Sequence, residues 1–256
     1  MYQRYHKPAF IGSDPLLFVH NYPDQRDREP VGLIAASLAY GNVKTINASI
    51  ARVLSRLSAS PGDFLLRTPD PELRKLMAGF RHRWTNDVAI ANLLIGMRHV
   101  TREFGSLGAA FERGYTPGGD ILLALRRWVV LLTQHNMPVK KELLSDPDGG
   151  SACKRLHLYL RWMVRRDEVD PGCWSRIDPA DLLMPLDTHI QQFARKVRFT
   201  RRAAADHRTV IEITRHFRRL CPRDPLRYDF ALTRFGMKEG WRAFNLTKVK
   251  QNAMLS

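Results

Sequence analysis

Apolar residues recur at helical spacing along nearly the whole chain, and Pro, Gly, Asp and Asn punctuate them at intervals too short for long rods. SDPLLFVHNY reads as a helix opened by an Asx/Pro start at Ser13–Pro15, and EPVGLIAASLAYG as one with Pro30 in its first turn and Gly41 as its stop. NVKTINASIARVLSRL continues as an amphipathic helix from about Asn42 or Val43, and SPGDFLLRT and TPDPELRKLMAGF carry Pro-led starts. NDVAIANLLIGMRHVTREFG is capped by Asn86 or Asp87, and TPGGDILLALRRWVVLLTQH is led by Gly118, Gly119 and Asp120. DPDGG at 146–150 is a turn cluster before the helix of SACKRLHLYLRWMVR. DPADLLMPLDTHIQQFARKV supplies a short helix, a Pro break and a further helix, and two late helices, roughly 206–220 and 224–236, precede a basic tail. No period-2 strand exceeds a few residues, and no internal repeat is present. The expected class is all-α.

Charge narrows the partners. The chain of 256 residues carries 41 Lys and Arg against 25 Asp and Glu, a net of +16. Such a field attracts polyanions, nucleic acid first and an anionic membrane surface second. The excess is uneven: residues 151–256 hold 22 basic and 11 acidic side chains, whereas residues 1–150 hold 19 and 14. With 44% hydrophobic residues, the chain can bury a substantial core. Cys153, Cys173 and Cys221 form no CxxC pair, and three thiols cannot complete an all-cysteine zinc or iron–sulfur site. Sparse, odd cysteines fit a reducing cytoplasm. MYQRYHKPAF has no signal-peptide pattern, and no apolar run is long enough to span a membrane.

Two residues stand in matching settings. Lys154 follows a Gly-rich turn where a helix should begin, and Asp187 precedes the helix of Thr188-His189-Ile190. An amine nucleophile with a carboxylate beside it is what Schiff-base chemistry needs. A helix start and the adjacent cation Arg155 both favour the neutral amine required for attack. Each residue also has a plainer reading. Lys154 suits a first-turn surface lysine of a basic protein, and Asp187 a helix N-cap. The cap and the chemistry are compatible, because a capping carboxylate is fixed in place and can steady a developing positive charge.

The pattern resembles the helix-hairpin-helix DNA glycosylase superfamily. MPLDTHIQQFARKV looks like that family's aspartate segment, and GLIAASLAYGNVKTI like its early helix, whose following loop touches DNA. AGFRHRW resembles its Gly-aromatic-x-Arg-x-Arg helix start, and RYDFALTRFGM its late Ala-Leu-x-x-x-Gly helix. The segments occur in family order over roughly residues 30–238. In outline the chain is also similar to an uncharacterised bacterial family placed with this superfamily. Two departures stand out. The hairpin reads LLSDPDGGSACK instead of Leu-Pro-Gly-Val-Gly-x-Lys, and Lys154 and Asp187 are 33 residues apart, longer than in most members. The archaeal 8-oxoguanine DNA glycosylases share a long insertion and a divergent hairpin, and are the nearest functional analogy.

The resemblance implies one helix-hairpin-helix glycosylase-like domain over 1–256, with two helical lobes around a DNA-binding groove. Residues 30–150 would form the middle lobe, and 1–29 with 151–256 the second. It implies that Lys154 attacks deoxyribose C1′ with Asp187 assisting, and that the Schiff base then supports AP lyase chemistry. Gly149, Gly150 and Ser151 would present backbone N–H groups to a phosphate. The target base must leave the stack, so Tyr40 and Asn42 are candidates to fill the gap, and Trp162, Tyr228, Asp229 and Phe235 candidates for the base pocket. Trp162 and Phe235 also suit a core by their helical spacing. No iron–sulfur cluster is expected, and the hairpin carbonyls could hold a monovalent cation. His189 with Asp187 makes D-x-H, but no metal-binding spacing accompanies it, so no metal site is assigned. The implied partner is double-stranded DNA with a damaged base, met as a monomer in the nucleoid, with no membrane partner. The competing reading is a non-catalytic helical DNA-binding protein that recognises damaged or distorted DNA. An RNA-binding scaffold ranks last, since no paired RNP motif is present.

Overall fold

Pro, Gly and short polar residues divide the chain into helices of four to 18 residues. The structure, a computed structural model, describes residues 1–134 and 143–241. The basic tail expected after the last helix lies outside the described residues. The described chain is mostly helical, in agreement with the all-α class. In order it forms α1 (Tyr2–Tyr5), α2 (Leu16–His20), α3 (Gln25–Leu38), α4 (Val43–Leu54), α5 (Pro61–Arg67) and α6 (Asp70–Met77). A small hairpin of β1 (Arg81–His82) and β2 (Thr85–Asn86) follows. Then come α7 (Asp87–Phe104), α8 (Leu107–Glu112), α9 (Ile121–Thr133), α10 (Lys154–Val164), α11 (Thr188–Lys196), α12 (His207–Leu220) and α13 (Asp229–Lys238).

Short polar side chains set most of the helix starts. Asp24, Asn42, Asn86, Ser106, Asp120, Asp187 and Asp206 each accept a backbone N–H from the first turn of the helix they open. Three expectations change. The helix expected from Glu29 starts earlier, at Gln25, because Asp24 supplies the cap and Pro30 is carried inside it. Pro30 has no N–H to give the Arg26 carbonyl. Gly62 of α5 approaches that oxygen so closely that a Cβ there would lie 2.2 Å from it. AGFRHRW does not open a helix directly: Arg81 to Asn86 pair as the β1–β2 hairpin, and α7 begins after it. The last helix starts at Asp229 rather than near residue 224, since residues 222–228 make turns.

The buried apolar side chains form one cluster running from Ile11 to Trp241. α3 is buried along most of its length, packing on α2, α4, α5, α8 and α10, while α7 packs on α5, α6, α8 and α9. Buried Glu29 of α3 accepts the Leu107 N–H at 2.8 Å and the Trp174 Nε1–H at 2.7 Å, which seats α8 on α3. α11 and α1 both pack on α13, so the first residues of the chain lie with its C-terminal helices. No helix is long and apolar enough to cross a membrane among the described residues.

Candidate functional site

The Gly-rich turn and its helix determine where Lys154 sits. Pro147–Gly149 make a single 3-10 turn, Gly150 adopts the left-handed conformation at φ 69°, and Ser151 bridges to Asp206. The His207 N–H donates to the Gly150 carbonyl at 3.0 Å, which ties the turn to the start of α12. Cys153 is the residue before α10, and its φ of 44° is a left-handed conformation uncommon outside glycine. Its buried thiol is pushed up to about 11, first by burial, so it is no ready nucleophile. Its side chain leaves the α10 N-terminus uncapped. Lys154, the first residue of α10, is half-buried. No hydrogen bond or ion pair engages its side chain among the described residues.

Asp187 opens α11. Its Oδ1 accepts the Ile190 N–H at 2.7 Å, and its Oδ2 accepts the Thr233 hydroxyl at 3.4 Å. That fixes the carboxylate between α11 and α13. Lys154 and Asp187 line the same cleft, of about 780 Å³. α10 contributes Lys154, Arg155, Leu158 and Arg161 to its lining, positions that share one helical face. α13 contributes Asp229, Phe230, Thr233, Arg234 and Met237, again one face.

Beneath the lysine lies a buried ion network. Two turns along α10, Arg161 donates from Nη2 to Asp170 at 2.7 Å and from Nη1 to Asp229 at 2.5 Å. Arg165 binds Asp170 as well, and reaches Asp167 at 2.7 Å and Asp224 at 2.8 Å. Both guanidiniums are held above their ordinary range: burial opposes their charge, but the surrounding carboxylates prevail. Asp229 goes the other way. Burial and the nearby Asp187 push its carboxyl up to about 6, against the pull of Arg161. Across the cleft wall Arg234 pairs with Asp14. The Phe230 ring lies beneath two guanidiniums, with Arg234 4.8 Å and Arg161 5.6 Å from its centroid.

The other residues singled out from sequence divide by placement. Tyr40, Ser151 and Asp229 line the cleft with Lys154 and Asp187. Gly149 and Gly150 are exposed on the turn leading to it. Asn42 is exposed and caps α4 through the Lys44 N–H at 2.9 Å. Trp162 departs furthest from expectation: it follows the lining residue Leu158 by one helical turn, yet it is fully buried in the core and absent from the lining. Phe235 lies off the cleft face of α13, packed edge-on to Tyr5 and against Trp241. Tyr228 precedes α13 and packs against Tyr2 and Phe217. The aromatic ring that does line the cleft from this helix is Phe230. Sequence reading also passed over Arg161, the Asp14–Arg234 pair and Trp84, which borders the cleft from the β1–β2 hairpin. The RYDF segment carried the only signal for Phe230, since it stands one position after Asp229.

The chain matches a family model described as protein of unknown function (DUF2400) over residues 14–238. The chain belongs to the DUF2400 family. No curated protein and no solved structure matches it. The DUF2400 match runs from Asp14, at one wall of the cleft, to Lys238 at the end of α13. It therefore includes the turn before Lys154, the Asp187 cap and the cleft-lining helices α10, α11 and α13.

Proposed function

We propose that this DUF2400 protein is a DNA repair glycosylase with associated AP lyase activity, excising a damaged base through a Schiff base on Lys154 assisted by Asp187. The observation that carries the reading is the convergence of Lys154 and Asp187, 33 residues apart in sequence, on one cleft of a strongly basic chain.

The chemistry follows from the two helix starts. The Lys154 amine attacks deoxyribose C1′ while the C1′–N bond breaks, and that electron pair leaves with the base, which takes up a proton. Asp187, fixed by Ile190 and Thr233, accepts the proton shed by the attacking nitrogen and steadies positive charge on the sugar. Ring opening gives the imine. Loss of a C2′ proton then expels the 3′ phosphate and breaks the strand. The exposed Gly149–Ser151 turn and the uncapped α10 N-terminus suit a backbone phosphate beside the lysine. The cleft between Phe230 and Tyr40 is large enough to take an extruded base.

Borohydride trapping tests this directly. Wild type and K154Q are incubated with duplexes carrying 8-oxoguanine, uracil or an abasic site, with reduction in place. A covalent adduct on a base lesion, lost in K154Q, is the expected result. Tight binding with no adduct on any duplex would replace this reading with a non-catalytic DNA-binding protein.

A further inference from the structure

The turn between β1 and β2 consists of two residues, Arg83 and Trp84. Arg83 takes the first central position with φ 51°, a conformation that two-residue hairpins usually give to glycine. An arginine kept there is an outlier of the kind that gathers at functional sites. Trp84 projects beside it and remains 64% exposed, whereas Trp128, Trp162, Trp174 and Trp241 are buried. Exposure of an indole to this extent is uncommon for the largest apolar side chain.

The surroundings hold the hairpin tip against the cleft. The Tyr40 ring lies within 5° of parallel to the Trp84 indole, at a centroid distance of 6.2 Å. Tyr40 itself is committed: its hydroxyl donates to the His82 carbonyl at 2.9 Å and lies 2.7 Å from Thr85 Oγ1. It braces the hairpin and is not free to leave. Arg83 lies over the indole at 4.6 Å and Arg155 over Tyr40 at 4.9 Å. The tip thus sets two parallel aromatic rings, each with a guanidinium over it, against the cleft that holds Lys154.

We propose that Trp84 stacks on a nucleobase, occupying the gap left in a distorted duplex, with Arg83 and Arg155 facing the flanking phosphates. The inference rests on the DNA reading given above. It shifts the gap-filling role from Tyr40, which is pinned, to the ring that Tyr40 supports. Nucleic acid fits this surface because it offers a flat π-face and anions together. An apolar protein partner would have to desolvate both arginines.

The test uses the full chain with two duplexes, one intact and one carrying a tetrahydrofuran abasic-site analogue, which binds without engaging lysine chemistry. Anisotropy of labelled DNA gives affinity, and intrinsic fluorescence with acrylamide quenching reports the one exposed tryptophan among the described residues. Wild type should show quenched emission and reduced acrylamide access on the analogue duplex. W84A should lose roughly tenfold or more in affinity for that duplex and much less for the intact one, and W84F should retain most of the wild-type preference. Equal binding by W84A and wild type on both duplexes, with unchanged emission, would overturn the stacking role while leaving the DNA reading in place. Failure of wild type to bind either duplex would overturn both. Absence of a borohydride adduct bears on Lys154 alone and leaves this result standing.

Discussion

Arg161 Nη1 lies 2.5 Å from the Asp229 carboxylate, yet the Asp229 carboxyl is pushed up to about 6. Full burial and the neighbouring Asp187 outweigh the guanidinium, which Asp229 shares with Asp170. The cleft therefore places a carboxyl with raised proton affinity beside the N-cap Asp187, whose Oδ2 accepts the Thr233 hydroxyl. Such a pair can divide proton-holding and charge-stabilising duties.

The Asp229 shift gives a prediction with a definite sign. Its folded value of about 6 lies above the ordinary 3.8, so the folded protein takes up a proton between those values that the unfolded chain does not. The contribution to stability is fully present below pH 3.8 and is lost as the pH rises through 6. Relative to D229N, wild type should gain up to about 3 kcal/mol between pH 7 and pH 4. Urea unfolding of both proteins across that range measures it. Parallel pH profiles would show that Asp229 does not titrate there.

Asp187 separates a structural role from a chemical one. D187A removes the acceptor for the Ile190 N–H and should cost about 1 kcal/mol of stability. D187N keeps a good cap and loses only the charge, so its melting temperature should stay near wild type. If the proposed chemistry is right, D187N should nevertheless trap lesion DNA about 100- to 1,000-fold more slowly. A D187N protein that is as stable and as fast as wild type would leave Asp187 a cap alone.

How much of this was legible in the sequence depended on which physics did the placing. Helix starts were readable because Asn86, Asp120 and Asp187 are both the sequence signal and the cap acceptor. The helix start at Lys154 was readable for another reason, the DPDGG turn cluster before it, since no side chain caps α10. The base-pocket candidates fared differently, because helical period does not say which face of α13 meets the cleft, nor which residues along one face of α10 the neighbouring elements cover. Trp162 and Leu158 are four residues apart, yet Trp162 is core and Leu158 lines the cleft. The Arg83–Trp84 turn gave no signal, since it has neither the Gly nor the Asn that such turns normally show. Pro30 misplaced the start of α3 because the cap is Asp24, a full turn and a half before it, and the helix carries the proline in its interior.

Close helix contacts make a second stability prediction. Gly96 of α7 faces the Leu132 carbonyl of α9, and a Cβ there would lie 2.2 Å from that oxygen. Backbone cannot swing aside as a side chain can, so G96A should destabilise the protein by about 1–3 kcal/mol despite the better helix propensity of alanine. Gly12 has nothing within 4 Å of the same added atom, so G12A should lie within about 0.5 kcal/mol of wild type. Denaturation midpoints compare the two. Equal midpoints would mean that α7 and α9 are not packed this closely.

His157 supplies the acid limb. It is buried on α10, and neither ring nitrogen has a hydrogen-bond partner. Burial, and then His207, push its imidazole down to about 3 from the ordinary 6.5. The unfolded chain takes up a proton below pH 6.5 that the folded protein refuses, so stability falls as the pH drops through that value. The slope is about 1.4 kcal/mol per pH unit, or roughly 2 kcal/mol by pH 5. H157L removes the group and should flatten this part of the profile, while losing little at pH 7.5, where a buried unpaired imidazole is replaced by an apolar side chain. This effect runs opposite to that of Asp229, so each is read only as the difference from its own variant. Thermal melts of wild type and H157L at pH 5 and pH 7.5 decide it: an equal loss in both proteins on acidification would show that the imidazole is not held neutral in the core.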